Sequence, residues 1–142
     1  MDGNTELLNF IFQNSQMGMV TINQILGITK DNDFTNYLNS QLNEYTQINE
    51  QAQKLLNENG CDEKGISTLE KVRTYLMINI QTLTDKSSSH IAEMLIVGSN
   101  MGIINAIKNL KKYSDANTNI KELMEKLLKF EENNVQELKR FL

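Results

Sequence analysis

The sequence predicts an all-α protein, an antiparallel four-helix bundle with a short extra helix in the long connection between helices two and three. Three observations carry that expectation. Proline is absent from the 142 residues, glycine occurs only seven times and valine is scarce, so little interrupts a helix and little favours a strand. Long stretches repeat apolar residues at three- and four-residue steps, the period of a helix with one covered face. The turn-forming clusters fall between those stretches and not inside them. A chain of this length forms one domain, residues 1–142, and at this size a fold buries roughly 68–70% of the surface its unfolded chain exposes.

Helix one is expected from Thr5 to Ile28. Leu8, Ile11, Phe12, Ser15, Gly18, Met19, Ile22, Ile25 and Leu26 make one stripe there, with a polar and a small residue at its middle. Gly27 and the Thr29–Asp33 stretch supply the turn, and Asp31 or Asp33 suits the cap of the second helix. Helix two, Phe34–Asn59, has the clearest repeat: Phe34, Leu38, Gln41, Tyr45, Ile48, Ala52 and Leu55 alternate steps of four and three along one seam. Asn59-Gly60 ends it, glycine being suited to the left-handed position past a helix C-terminus. After a polar link, Ser67 and Glu70 form a capping-box pair that opens a shorter helix over Thr68–Leu83.

The central helix is expected over Ser89–Tyr113. Its Ile91–Ile107 portion carries Ile, Met, Leu and Val at nearly every angle of a helical projection, the pattern of a helix walled in by protein on most sides. The rest of the chain reads as its cladding. Asn119 with Glu122 makes a capping-box-like start for the last helix, where Ile120, Leu123, Met124, Leu127, Phe130, Leu138 and Phe141 repeat at helical spacing. Glu131 and Asn134 fall inside that stripe.

The net charge of −4 argues against nucleic acid as a partner, since phosphate binding needs a basic face. Lys108, Lys111 and Lys112 cluster at the end of the central helix, where cations meet the negative end of its dipole. Ile91–Ile107 is too short, and too interrupted by Glu93, Ser99, Asn100 and Asn105, for a membrane span of about 20 apolar residues. The single cysteine, Cys61, forms no internal disulfide, and MDGNTELL lacks the charged-then-apolar pattern of a leader. The expected location is the cytoplasm.

A bundle has one obvious place for chemistry, its interior. Carboxylate-bridged metal pairs need a Glu from each of two helices and Glu-x-x-His from the other two, because the i, i+3 step turns both side chains inward at one level. Helix two offers Glu44 with Gln47, the last helix Glu131 with Asn134, the first Ser15 and Gln16, and the central helix Glu93 and Asn100. His90, the only histidine, lies at the start of the central helix. Amides are poor substitutes for imidazole on a transition metal, so a polar layer fixing helix register is the expectation. The methionines Met17, Met19, Met94 and Met101 read as core filling.

The stretches LLNFIFQNSQMGMVTINQIL, LNEYTQINEQAQKLLNENG, SSSHIAEMLIVGSNMGIINAIKNL and LMEKLLKFEENNVQELKRFL resemble a family of ferritin-like four-helix-bundle proteins, largely uncharacterised, from clostridia and related spore-formers. More distantly the chain is similar to ferritin-like spore coat proteins. The resemblance covers nearly the whole chain and implies the fold and its connection. Metal-binding members of the wider superfamily carry carboxylate and histidine ligands at mid-helix. The nearest positions here are Ser15 or Gln16, Glu44 and Gln47, Asn100, and Glu131 and Asn134.

Three functions stand as expectations. The first is a non-catalytic ferritin-like bundle with a structural or protein-interaction role, linked to sporulation, without a cofactor. The second is a dimetal protein or oxidase of iron or manganese that uses Glu44, Glu93 and Glu131 as a reduced ligand set. The third is a bundle that binds a small apolar molecule between helices lined with Met and Gly. A homodimer is also expected, because Leu7, Phe10, Met17 and Ile28 form a second apolar face on the first helix that needs a cover.

Overall fold

The computed structural model describes residues 3–61 and 69–142. Among these the chain is all-helical, with α1 (Gly3–Leu26), α2 (Asn32–Glu58), α3 (Glu70–Gln81), α4 (Ser88–Lys112), α5 (Thr118–Leu138) and a closing 3-10 turn, Lys139–Phe141.

The helix ends follow local chemistry. Asp31 caps α2, its carboxylate accepting from the amides of Asp33 at 3.0 Å and Phe34 at 3.3 Å. Ser87 caps α4 by accepting from the His90 amide at 3.2 Å. Past α2, Gly60 takes a φ of 65°. The Cys61 amide then donates back to Leu56 O at 2.8 Å and the Gly60 amide to Asn57 O at 3.2 Å, the paired bonds that close a helix on a left-handed glycine. One start differs from expectation. Asn117, not Asn119, sits at the cap position of α5 and makes no side-chain capping bond. Its amide is held instead by Asn4 Oδ1 of α1 at 2.7 Å. Ser67 lies outside the described residues, and α3 begins at Glu70 behind an uncapped Leu69.

α1 packs chiefly on α2 and α4 on α5, and the two pairs meet mainly through α1 and α5. Contacts at the ends fix the directions. The Ser88 hydroxyl, at the start of α4, donates to Asp31 Oδ2, at the start of α2, at 3.1 Å. At the other end Thr5 Oγ1 and Cys61 Sγ lie 2.9 Å apart, beside the Asn4–Asn117 bond. α2 and α4 therefore run parallel, α1 and α5 run opposite to them, and α3 lies against α4 and α1.

The core is built by the predicted stripes. Phe34, Leu38, Ile48 and Ala52 of α2 are fully buried with Leu8, Ile11, Ile22 and Ile25 of α1 and Ile120, Met124 and Leu127 of α5. Each large apolar side chain so buried contributes ~1.5–3 kcal/mol. The α2 seam closes on Leu56, which is buried, while Leu55 is only half-buried. A straight helix drifts ~20° per heptad from a strict seven-residue repeat, and after three heptads the inward position has moved by one residue.

Two expectations about covering are overturned. α1, not α4, is the most enclosed helix, with 11 of 24 residues buried against 7 of 25. Leu7 and Phe10, expected under a partner, lie in the chain's own core, and Met17 and Ile28 are half-buried. α1 is flanked by α2, α3, α4 and α5, so its second apolar face is already covered. α4 turns Ile91, Met94, Leu95, Gly98, Gly102 and Ala106 inward and leaves Val97, Ile104 and Ile107 exposed. Over 18 residues its mean hydropathy reaches 1.3, a level that membrane-crossing and core helices share.

Candidate functional site

Halfway along the helices the apolar interior gives way to a polar centre around Glu131. The α5 stripe that buries Leu127 also carries Glu131 and Asn134, at steps of four and three, so the helix turns both inward; they are 5% and 4% exposed. The seam of α2 does the same for Gln41 and Tyr45. α1 contributes Asn14 and α4 contributes Ser99, both bordering the same space.

The bonds run as one chain. The Tyr45 hydroxyl donates to Glu131 Oε1, which also accepts from Asn134 Nδ2 at 3.4 Å. Ser99 hydrogen-bonds the same carboxylate. The Tyr37 hydroxyl donates to the Asn134 carbonyl at 3.2 Å, and Gln41 Nε2 donates to the Tyr37 oxygen. Phe130 braces Tyr45 from the side, ring centroids 4.8 Å apart and nearly perpendicular. No fully buried side-chain nitrogen or oxygen among the described residues lacks a partner.

Two glycines make the room. A Cβ at Gly18 would stand 2.6 Å from Cζ of Tyr45, so the bare backbone of α1 is what lets the ring lie in the interior. A Cβ at Gly102 would stand 3.2 Å from Asn14 Oδ1 and 3.8 Å from Glu131 Oε2. Beside these groups is a cavity of about 40 Å³ bordered by Asn14, Gln41, Tyr45, Ser99 and Glu131, which is room for a water or two.

Burial dominates the electrostatics. Desolvation pushes the Glu131 carboxyl up from 4.5 to about 7, against the pull of its hydrogen bonds from Tyr45, Asn134 and Ser99. Desolvation, then the neighbouring Glu131 charge, raises the Tyr45 phenol well above its ordinary value. Tyr37 is raised for the same leading reason, with Glu137 and Glu131 adding to it and Arg140 opposing. The cluster is thus acidic in kind and nearly neutral in charge.

Of the three carboxylates expected as a reduced ligand set, only Glu131 is interior. Glu93 is on the exposed side of α4, 3.9 Å from His90 Nδ1, and Glu44 is half-buried, one residue off the α2 seam. Gln16, Gln47 and Asn100 face solvent, and Ser15 is buried but donates to Ile11 O at 2.7 Å and accepts from Asn49 at 3.1 Å. Among the described residues no three His, Cys, Asp or Glu side chains stand together. Around Glu131 the other described donors are amides and hydroxyls, and its one carboxylate offsets little of the charge of two divalent ions, so the described residues around it make a poor dimetal ligand set. Tyr45 was visible on the seam, but its role was not; the signal was Gly18, a small residue at the matching depth of helix one.

Comparison with models of known families, with characterised proteins and with solved structures finds no match. The chemistry of the centre is therefore the guide. Its carboxyl is pushed up to about 7, and its cavity is far below the ~300–1,000 Å³ of a small-molecule site. A larger groove of about 460 Å³ lies outside it, between α1 and α3, bordered by Gln16, Val20, Arg73 and Met77.

Proposed function

We propose that the protein is a ferritin-like four-helix bundle without catalytic activity, serving a structural or protein-interaction role. The observation that supports this most is Glu131, the one interior carboxyl among the described residues: it is bonded by Tyr45, Asn134 and Ser99, so the position where a metal enzyme would gather anions holds a self-satisfied polar layer. The parallel course of α2 and α4, with a single long crossover, is the connectivity of ferritin-like bundles and supports the finer fold. Buried polar groups of this kind fix which residues face one another across helices, a role known from coiled coils. A cytoplasmic location rests on the lone cysteine, and a link to sporulation on the resemblance of the sequence.

The test is anaerobic titration of the purified protein with ferrous or manganous ion, followed by admission of oxygen. The expected result is no saturable uptake and no iron oxidation above the rate in buffer. Stoichiometric binding that Glu131→Gln abolishes overturns the proposal.

A further inference from the structure

The outer face of α4 has the form of an interface. Glu93, Val97, Asn100, Ile104, Ile107 and Lys111 are all exposed and follow one another at steps of four, three, four, three and four. On a helix of 3.6 residues per turn they fall within roughly 40° of a common line, directly opposite the inward line of Gly98 and Gly102. This is a heptad seam with a single amide at its middle. Over residues 97–107 the distribution of bulk is also inverted: Gly98, Gly102 and Ala106 face the interior, while the branched side chains Val97, Ile104 and Ile107 face out, Ile104 being 54% exposed.

The charges choose the occupant. The seam begins with an acid and ends with a base, so it is complementary to itself when reversed. Placed antiparallel to a second copy about a two-fold axis level with residue 102, Glu93 meets Lys111 of the other copy, Val97 meets Ile107, and Asn100 meets Ile104. Every pairing then occurs twice, as a closed two-fold interface requires. A parallel pairing would instead set Glu93 against Glu93 and Lys111 against Lys111. The lysine cluster at the end of α4 thus acquires a role beyond meeting the helix dipole, and the exposed apolar residues acquire a cover.

We infer that two copies of this chain associate through the outer faces of their α4 helices, packed antiparallel. The inference deepens the interaction role proposed above, and the two fail separately. Metal uptake by a dimer overturns only the account of the interior, and a metal-free monomer overturns only the dimer.

The experiment is the solution mass of the full chain, by light scattering or sedimentation equilibrium, for the parent and for its variants. The parent is expected near twice the 16.3 kDa of one chain. Ile104→Glu is expected to give a monomer with an unchanged circular dichroism spectrum, since the site is exposed and the fold does not use it. Glu93→Lys or Lys111→Glu alone is expected to raise the dimer dissociation constant roughly tenfold, and the double reversal to restore it, because the pairing is reciprocal. A parent that stays monomeric overturns the inference. So does a dimer that tolerates Ile104→Glu, one broken instead by Val20→Glu at the α1–α3 groove, or a double reversal no better than the single ones. A monomer that sediments with phosphatidylcholine vesicles and loses this in Ile104→Glu assigns the face to a membrane surface and overturns it too.

Discussion

Replacing Glu131 with glutamine tests whether the polar centre works as its burial dictates. The folded protein holds the Glu131 proton up to about pH 7, whereas the unfolded chain releases it near 4.5. Below 4.5 both states are protonated and the group contributes no pH dependence. Between the two values the unfolded chain gives up its proton and the folded one keeps it, so stability falls as pH rises, and above 7 the whole loss is present. At ~1.4 kcal/mol per pH unit the loss is ~3 kcal/mol, a large share of the ~5–15 kcal/mol that holds a domain together. The side-chain amide of Glu131→Gln keeps the carbonyl that accepts from Tyr45, has the length of the original side chain, and carries no charge at any pH.

Glu131→Gln is therefore expected to match the parent within ~1–2 kcal/mol in acid, where two neutral side chains are compared. It should overtake the parent as pH rises. Urea unfolding followed by far-UV circular dichroism, in buffers from pH 4.5 to well above 7, gives both curves. Their difference removes the groups that do not interact with Glu131. In thermal scans the same gap corresponds to roughly 10 °C in Tm. Parallel curves for the two proteins would refute the claim that Glu131 ionises at a cost inside the fold. A variant less stable than the parent at every pH by the same amount would refute it equally.

Two further outcomes rest on the same geometry. The phenols of Tyr37 and Tyr45 are held above their ordinary value of 10 by burial. An alkaline absorbance titration should therefore leave part of the four-tyrosine signal unreleased until the fold is lost, with stability falling as pH rises past 10. Full phenolate absorbance in a protein with native circular dichroism would contradict this. Gly18→Ala and Gly98→Ala should differ in sign or size although both add one methyl group to a helix. At Gly18 the methyl meets a ring held by Glu131 and Phe130 and should cost ~1–3 kcal/mol. At Gly98 it meets the flexible end of Leu76, at 2.9 Å from Cδ2, and the gain of ~1 kcal/mol in helix propensity offsets that contact. Denaturant midpoints for the two variants check the contrast.

What the sequence made legible was period. The α2 seam from Phe34 to Ala52 and the α5 stripe through Glu131 and Asn134 bury the residues their spacing selects, because a helix face is fixed by counting along one chain. The ends were legible where one residue works alone, as with Asp31 at the start of α2 and Gly60 past its end. The same reading failed at Asn119, because the true start of α5 is set by Asn4, more than a hundred residues away. The centre was half legible for the same reason. Spacing turned Glu131 inward, but its partner Tyr45 is chosen by the missing side chain at Gly18 on another helix, and no local rule pairs those two positions.

The misjudged cover on α4 has a physical cause that connects the centre to the surface. An apolar residue on every side of a helix says that each side needs a cover, not that one chain supplies it. Inside, Gly102 leaves the space that Asn14 and Glu131 occupy, and Gly98 admits Leu76 of α3, so the inner face of α4 stays narrow and the neighbouring helices come close. Large side chains there would close the cavity and expel the polar centre. Ile91, Met94 and Leu95 are buried nearer the start of the helix, but beside the glycines the bulk lies on the opposite side, at Val97, Ile104 and Ile107, where Glu93 and Lys111 bracket it. A helix built this way satisfies a polar interior on one face and leaves on the other a hydrophobic strip that single-chain folding does not bury. The second copy inferred above, running antiparallel, would cover it and also satisfy the charges at its ends.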